Sequence, residues 1–319
     1  MGEVKLSQVL TSALKVFLSL GLLAFILHQV GWEQTWASVQ MAQPFYLLAA
    51  LSLYLIGVAV RAYRWQILLT ALRMEVSLPR LTALYFIGAF FNSFLPTGIG
   101  GDVVRIYELA KQSERSAASV GTVLIDRATG LLVLFLMALT ALFFSYRLIT
   151  PALAIAIVLL CVVAWCGAVL ILKRDWLEKW GLLQVISKVR QLEKVYESVH
   201  HCGPRAIGGA LAVSLIFNAL LITVNYFIAL SLGVKISLYY FLLFIPIISF
   251  LLVLPVSLSG LGIREGGYIY LFAQAGVPAH LALTMSLTFY ALTVATGCIG
   301  GVIYALEGIY DLCAKRMGW

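Results

Sequence analysis

Long apolar stretches separated by short polar ones dominate the chain from residue 13 onward. Six of these stretches are long enough to cross the ~30 Å hydrocarbon core of a bilayer as a helix. The predicted spans lie at about 13–30, 44–63, 118–145, 150–172, 205–232 and 280–306. This pattern predicts an all-α polytopic membrane protein.

Two further apolar stretches are interrupted in the same manner, by Leu-Pro, then glycines, then charged residues. The first interruption, residues 94–105, reads Phe-Leu-Pro-Thr-Gly-Ile-Gly-Gly-Asp-Val-Val-Arg. The second, residues 254–265, reads Leu-Pro-Val-Ser-Leu-Ser-Gly-Leu-Gly-Ile-Arg-Glu. Non-helical backbone at membrane depth needs shelter from lipid, and paired broken segments point to a transporter's binding site. We therefore predict re-entrant hairpins at about 79–111 and 239–276; the alternative is that the two prolines only kink ordinary spans.

The distribution of basic residues favours the hairpin arrangement. Lysine and arginine are concentrated in residues 64–80, in residues 173–205 and in the C-terminal tail, whereas residues 31–43 contain none. With two hairpins, both termini and both basic segments lie in the cytoplasm, as the positive-inside rule requires. Three full spans then separate the hairpins, which enter from opposite faces as an inverted repeat, with their glycine-rich tips meeting near the midplane. Residues 175–201 alternate apolar and basic positions at helical spacing and predict a cytoplasmic interfacial helix.

Composition agrees with a single membrane domain over residues 1–319. The chain is 62% hydrophobic and 11% charged, its mean hydropathy is +0.99, and no stretch is polar enough for a separate soluble domain. The first apolar stretch lacks a small-residue cleavage site and is expected to be a retained span. The five cysteines fit neither a disulfide framework nor a metal site, and no metal or cofactor is predicted. The net charge of +8 is explained by the positive-inside rule rather than by nucleic acid.

Charged residues inside the predicted membrane region are the main candidates for function. Asp126 and Arg127 lie roughly 12–14 Å along the predicted span 118–145, near the bilayer centre. Ionisable groups there should face the interior and be paired, but adjacent helical residues point apart. We therefore expect their partners to come from the hairpins: Asp102, Arg105, Arg264 and Glu265. The set forms either a substrate or proton site or a purely structural ion-pair network.

Glycines and arginines near these charges extend the candidate site. Gly101 and Gly262 are expected where the hairpins approach each other or a headgroup; the alternative is ordinary close packing of small residues. Asp102 is a candidate N-cap of a short helix whose N-terminus would suit an anion. The Gly-x-Gly-Gly sequence lacks the Lys-Ser/Thr of a P-loop, so it does not indicate a nucleotide site. Arg61 and Arg64 end the second span, either as residues that snorkel to the interface or as headgroup ligands.

These segments, taken in order, resemble a known membrane family. The motifs are Arg64-Trp65, Asn92 to Pro96, Gly101 to Arg105, Val123 to Arg127 with Gly130, and Leu254 to Glu265. They look like the flippase-like membrane domain of bacterial lysylphosphatidylglycerol synthases (multiple peptide resistance factors) and of stand-alone relatives, over about residues 9–310. The resemblance implies lipid movement between leaflets. It also implies that the family's charged positions are filled by Arg105, Asp126, Arg127, Arg264 and Glu265.

The chain departs from the family pattern at a few positions. Asp102 stands where the family more often has Glu, and Ala291 follows Tyr290 where many members have Arg. The soluble aminoacyl-transferase domain is not seen, so the resemblance does not imply synthase activity.

The sequence therefore predicts a lipid transporter rather than an enzyme. An anionic or polyprenyl-phosphate headgroup would bind between the hairpin tips, with Arg105, Arg127 and Arg264 on the phosphate and Asp126 and Glu265 orienting them. The expected location is a bacterial inner membrane, with membrane lipids as partners and an envelope-biosynthesis enzyme or a second copy as further candidates. The alternatives are a non-catalytic membrane partner of an envelope enzyme and a membrane-embedded transferase.

Overall fold

The regular secondary structure of the described residues consists of helices joined by short turns. A computed structural model describes residues 21, 23–94, 100–113, 116–145, 150–172, 190–253 and 260–317, and these contain no β-strand. Its helices are α1 (Trp32–Gln40), α2 (Pro44–Ala71), α3 (Leu78–Phe94), α4 (Gly100–Ser113), α5 (Ser116–Ser145), α6 (Pro151–Leu172), α7 (Arg190–Ser231), α8 (Leu238–Val253), α9 (Ile263–Ala273) and α10 (Ala279–Met317). The predicted all-α polytopic fold is confirmed.

Within the described residues, five helices are long and apolar enough to cross a membrane. Their spanning segments are Pro44–Ala71, Ser119–Phe144, Pro151–Ala168, His200–Ser231 and Ala279–Glu307. They match five of the six spans predicted from hydropathy. The sixth, at about 13–30, lies mostly outside the described residues, although residues 23–30 are helical.

The helix α2 is longer than hydropathy predicted. It has 28 residues, or about 42 Å at the helical rise, which exceeds the ~30 Å apolar core. Its ending uses a C-terminal turn in which Arg73 has a positive φ of 56° and the Met74 N–H donates to the Leu69 carbonyl. This extension places Arg64 well inside a helix rather than at its end.

The same ending recurs at α7 and marks an internal repeat. Gly233 has a φ of 75° and the Val234 N–H donates to the Ala229 carbonyl, which repeats the α2 pattern. The sequences that follow, Leu-Arg-Met-Glu-Val-Ser-Leu at 72–78 and Leu-Gly-Val-Lys-Ile-Ser-Leu at 232–238, align without a gap at an offset of 160 residues (232 − 72). A broken helix pair then begins in both halves.

Each interruption is flanked by two helices that pack against each other, α3 with α4 and α8 with α9. The α3 and α8 arms have 17 and 16 residues, about 26 and 24 Å, which is short for a full span. Residues 95–99 and 254–259, which contain both prolines, lie outside the described residues. A pair of packed helices on either side of each interruption is thus observed, while re-entry into the membrane and contact between the tips stay predictions.

Each hairpin also packs on the long helix that follows the other hairpin: α3 lies along α10, and α8 lies against α5. Close backbone approach makes the α3–α10 contact tight, since a Cβ on Gly300 would overlap the Phe86 carbonyl. Helices in lipid associate mainly through such packing of small residues. In both halves, the first arm of a hairpin thus contacts the long helix that follows the other hairpin. Equivalent contacts of this kind are expected of an internal repeat.

The helix α7 bends where its membrane span begins. Gly203 has a φ of 74° and is followed by Pro204, which has no N–H to donate to the helix. Helical residues continue back to Arg190, but residues 175–189 lie outside the described part of the chain. The cytoplasmic interfacial helix therefore stays a prediction.

Candidate functional site

The central ion pair of the bundle joins α2 to α5. The Arg64 Nε donates to the Asp126 Oδ1 at 2.7 Å, and the Arg64 Nη1 donates to the Ser214 Oγ of α7 at 3.0 Å. Arg64 is only 3% exposed. The absence of a side chain at Gly130 makes room for it, because a Cβ there would lie 2.8 Å from the Arg64 Nη1. A buried carboxylate of this kind is stabilised only while its cation stays in place.

The second oxygen of Asp126 connects the pair to the first hairpin. The Tyr85 hydroxyl of α3 donates to the Asp126 Oδ2, and the Arg105 Nη2 of α4 lies 3.6 Å from the same oxygen. The Trp65 indole N–H, one residue beyond Arg64, donates to the Thr122 hydroxyl at 3.2 Å. Four helices therefore converge on one carboxylate.

Arg105 is buried between aromatic rings and is incompletely hydrogen-bonded. Its guanidinium carbon lies 3.6 Å from the centre of the Tyr85 ring and 4.2 Å from that of Trp65, and the residue is 3% exposed. The Nη1 approaches the Asp102 Oδ1 at 3.3 Å, but Nε and Nη2 make no hydrogen bond within the described part of the protein. These two N–H groups form one edge of the guanidinium fork, which matches the oxygens of a phosphate or carboxylate.

Two more arginines complete the group. The Arg127 Nε pairs with the Asp102 Oδ2, and its side chain is 36% exposed, the most open of the ion-paired members. Arg61 lies over the Tyr85 ring at 4.6 Å. We use the name arginine cluster for the following residues: Arg61, Arg64, Tyr85, Asp102, Arg105, Asp126 and Arg127.

The second hairpin carries a separate ion pair. The Arg264 Nη2 donates to the Glu265 Oε1 at 2.7 Å, and the Arg264 Nε approaches the Ser286 Oγ at 3.2 Å. The Glu265 Oε2 accepts from the Gly262 N–H at 2.5 Å, which caps the first turn of α9. Arg264 also lies 4.4 Å from the centre of the Tyr290 ring. This pair is electrically neutral and both of its members are hydrogen-bonded.

Only some of the partners predicted for Asp126 and Arg127 are observed in the structure. Arg105 reaches Asp126, and Asp102 reaches Arg127, so the first hairpin supplies partners as predicted. The expectation that Arg264 and Glu265 would also do so is wrong, because these residues pair with each other.

Arg64 does not snorkel to the interface, since it is buried and binds Asp126. It was missed as a partner because hydropathy ended its helix too early. Tyr85 was also missed, although a tyrosine in an apolar helix usually finds a partner for its hydroxyl.

The two candidate glycines have different physical roles. A Cβ on Gly101 would overlap the carbonyl of Gly88, so Gly101 lies where the two arms of its own hairpin touch. We expected the other hairpin to approach Gly101, but the Gly88 carbonyl of the same hairpin lies there instead. Gly262 has a φ of 85°, a conformation that a side chain disfavours, and it begins α9.

Comparison with known proteins identifies the family of this chain. Residues 12–301 match the family model described as the lysylphosphatidylglycerol synthase TM region. The chain belongs to this family. Its similar proteins include the UPF0104 membrane protein PH1989 of Pyrococcus horikoshii, 25% identical over 306 residues that cover 86% of this chain and 90% of that protein. A UPF0104 membrane protein of Methanothermobacter thermautotrophicus is 25% identical over 291 residues, covering 83% and 86% respectively. This family member is a multi-pass membrane protein, and both of these relatives are archaeal.

Proposed function

We propose that this protein moves a lipid with an anionic headgroup between membrane leaflets and that the arginine cluster binds the headgroup. The observation that carries the proposal is Arg105, a buried cation whose Nε and Nη2 make no hydrogen bond among the described residues. Asp102 and Asp126 lie close enough to balance the charge of Arg105, but buried N–H groups that make no hydrogen bond are costly until they gain a partner. An anionic headgroup would supply that partner.

The position of the cluster supports a transport role. It lies between the spans α2, α5 and α7 and the first hairpin, and ionisable groups within membrane segments commonly mark substrate pathways. Arg127 is the part-exposed member, so it is the natural first contact for a headgroup that then reaches Arg105. The family name refers to a synthase of a phospholipid, which agrees with a lipid substrate.

The remaining features of the proposal follow from the charge distribution. We place the protein in the cell membrane, the inner membrane of a bacterium, with both termini in the cytoplasm. It would act as a transporter rather than as an enzyme, with the hairpins exposing the site to either leaflet. The sequence predicted Arg264 on the phosphate, Glu265 as the residue that orients it, and Gly262 at a close approach of the hairpins or a headgroup. These three residues would instead hold the second hairpin in shape, because their polar groups already satisfy one another.

Transbilayer movement in vesicles that contain only this protein tests the proposal. A fluorescent anionic phospholipid is placed in the inner leaflet, and its arrival outside is followed by chemical quenching. Arg105→Gln should slow movement at least tenfold, because two charge-assisted hydrogen bonds of about 1.5–3 kcal/mol each are lost. Each carboxylate keeps one cation in that variant, Arg64 for Asp126 and Arg127 for Asp102, and size-exclusion chromatography checks that the variant is folded.

Arg205→Gln is the matched control, since Arg205 is an exposed arginine of α7 outside the cluster. It should move the lipid at the wild-type rate. Absence of lipid movement by the wild-type protein, in vesicles where it is correctly folded, would refute transport. That outcome would favour the alternative of a non-catalytic membrane partner of an envelope lipid- or glycan-modifying enzyme.

A further inference from the structure

The arginine cluster carries a net positive charge. Its four arginines and two aspartates give 4 − 2 = +2, with Tyr85 neutral. The four buried members, Arg64, Arg105, Asp102 and Asp126, balance one another, so the excess positive charge belongs to the partly exposed Arg61 and Arg127. Coulomb attraction favours the bound state nearest to neutrality. A ligand with two negative charges would neutralise the cluster, whereas a ligand with one would leave it positive.

The open N–H groups of the cluster point to the same kind of ligand. The Arg105 Nε makes no hydrogen bond within the described chain, and its Nη2 has only a 3.6 Å ion-pair contact with the Asp126 Oδ2. Arg127 uses its Nε for Asp102, and Arg61 contacts aromatic rings rather than a carboxylate within the described chain. Arg64, by contrast, is committed to Asp126 and Ser214. Three arginines therefore retain donors. A phosphate monoester presents three terminal oxygens, while a phosphodiester presents two.

We propose that the headgroup is a phosphate monoester, which carries about −1.5 to −2 charges at pH 7, and that Asp102 and Arg61 set the preference over phosphodiesters. The inference rests on the proposed function of the same cluster. Asp102 lowers the net charge by one while contacting both Arg105 and Arg127. Arg61, whose guanidinium lies over the Tyr85 ring, raises the net charge of the cluster by one.

The test compares two lipids that differ by one ester bond. Labelled phosphatidate and its methyl phosphodiester, with identical acyl chains, are assayed for transbilayer movement in the same vesicles. The wild-type protein should move phosphatidate at least tenfold faster, a preference equivalent to about 1.4 kcal/mol. Inorganic phosphate is added as a soluble anion with the same phosphate group. It should neither cross the membrane nor inhibit the movement of phosphatidate at equal concentration, because it lacks the acyl chains.

Two variants should change the ratio of the two rates in different ways. Arg61→Gln lowers the cluster to +1, so the phosphodiester complex becomes the neutral one and the ratio should fall about tenfold or more. Asp102→Asn raises the cluster to +3, so the ratio should stay high or increase. A purely structural effect would slow both lipids together and leave the ratio unchanged. Arg205→Gln is again the control and should not alter the ratio.

The outcomes separate this inference from the proposed function. Equal movement of both lipids by the wild-type protein would overturn the monoester assignment while leaving lipid transport in place. Movement of neither lipid would overturn both. Uptake of inorganic phosphate that phosphatidate inhibits would show that the free anion, and not a lipid, is the ligand. A ratio that does not fall in Arg61→Gln would remove Arg61 as a determinant and contradict the charge argument.

Discussion

Replacing Asp126 with asparagine should strongly destabilise the protein, and a second change at Arg64 should largely reverse the effect. Asp126→Asn leaves Arg64 buried without its anion at 2.7 Å and raises the net charge of the cluster to +3. Removing one member of a buried pair costs about 3–5 kcal/mol, whereas replacing both members by neutral groups is often tolerated. At about 2 °C per kcal/mol for a protein of this size, the single change should lower the midpoint of thermal unfolding by about 6–10 °C. Arg64→Met in the same chain should recover most of that loss.

The comparison with Arg127 makes this prediction specific. Arg127 is adjacent to Asp126 in sequence, but it pairs with Asp102 instead. Arg127→Gln should therefore fail to rescue Asp126→Asn. The assay is the fraction of detergent-solubilised protein that stays monodisperse after heating, measured for the single and double variants in two mutant cycles. Greater rescue by Arg127→Gln than by Arg64→Met would refute the observed pairing.

Three further predictions test the packing and the topology. Gly300→Ala should prevent α3 from lying along α10 and lower the yield of folded protein in size-exclusion chromatography, whereas Gly21→Ala, which has open space around it, should be silent. Gly130→Ala should push a methyl group against the buried arginine of α2 and cost about 1–3 kcal/mol, measured as a lower unfolding midpoint. A cysteine at Ser113 should react with an impermeant maleimide from the cytoplasm, and one at Ala275 from outside; labelling of both from one face would contradict the inverted arrangement.

Hydropathy predicted the spans well because lipid imposes a simple constraint. Every backbone polar group in the bilayer must be satisfied within its own helix, so each span needs a long unbroken apolar stretch. The same constraint identified both interruptions. It says nothing about which side chains face each other, because that depends on how the helices are rotated and packed.

Arg64 shows where hydropathy fails. The apolar stretch ends at residue 63, which places Arg64 at the predicted interface. In the structure α2 continues to Ala71, and α7 lies alongside it and supplies Ser214 and the Phe217 ring around the guanidinium. The mean hydropathy falls near Arg64 because the residue is charged. A hydropathy average gives a buried charge and a solvated charge the same value, so it cannot distinguish the two.

The rule that adjacent helical residues do not pair gave opposite results at two places. It held for Asp126 and Arg127, which lie in the middle of α5 and have separate partners. It failed for Arg264 and Glu265, because these residues lie in the first turn of α9. There the Glu265 carboxylate folds back to accept from the Gly262 N–H, and this places its other oxygen within reach of Arg264. Position within the helix decided the outcome, and the sequence alone did not place the start of α9.

The internal repeat can be followed to individual contacts. At the offset of 160 residues, Trp65 of α2 corresponds to Asn225 of α7. In the short second arms, Asp102 and Glu265 both occupy the first helical turn, an offset of 163 that makes Arg105 equivalent to Tyr268. Arg105 stacks on the Trp65 ring, and the Tyr268 hydroxyl donates to the Asn225 side chain at 2.5 Å. Equivalent positions therefore touch in both halves.

This equivalence shows that the repeated scaffold carries its charge unevenly. The second-half counterparts of Arg61 and Arg64 are Leu221 and Val224, and the counterpart of Arg105 is the neutral Tyr268. A symmetric pair of anion sites would need cations at all of these positions, and burying them without a ligand would be costly in both halves. A positive cluster in one half and a neutral ion pair in the other are what the proposed single headgroup site requires. A single site reached in turn from two sides is the arrangement that alternating access requires.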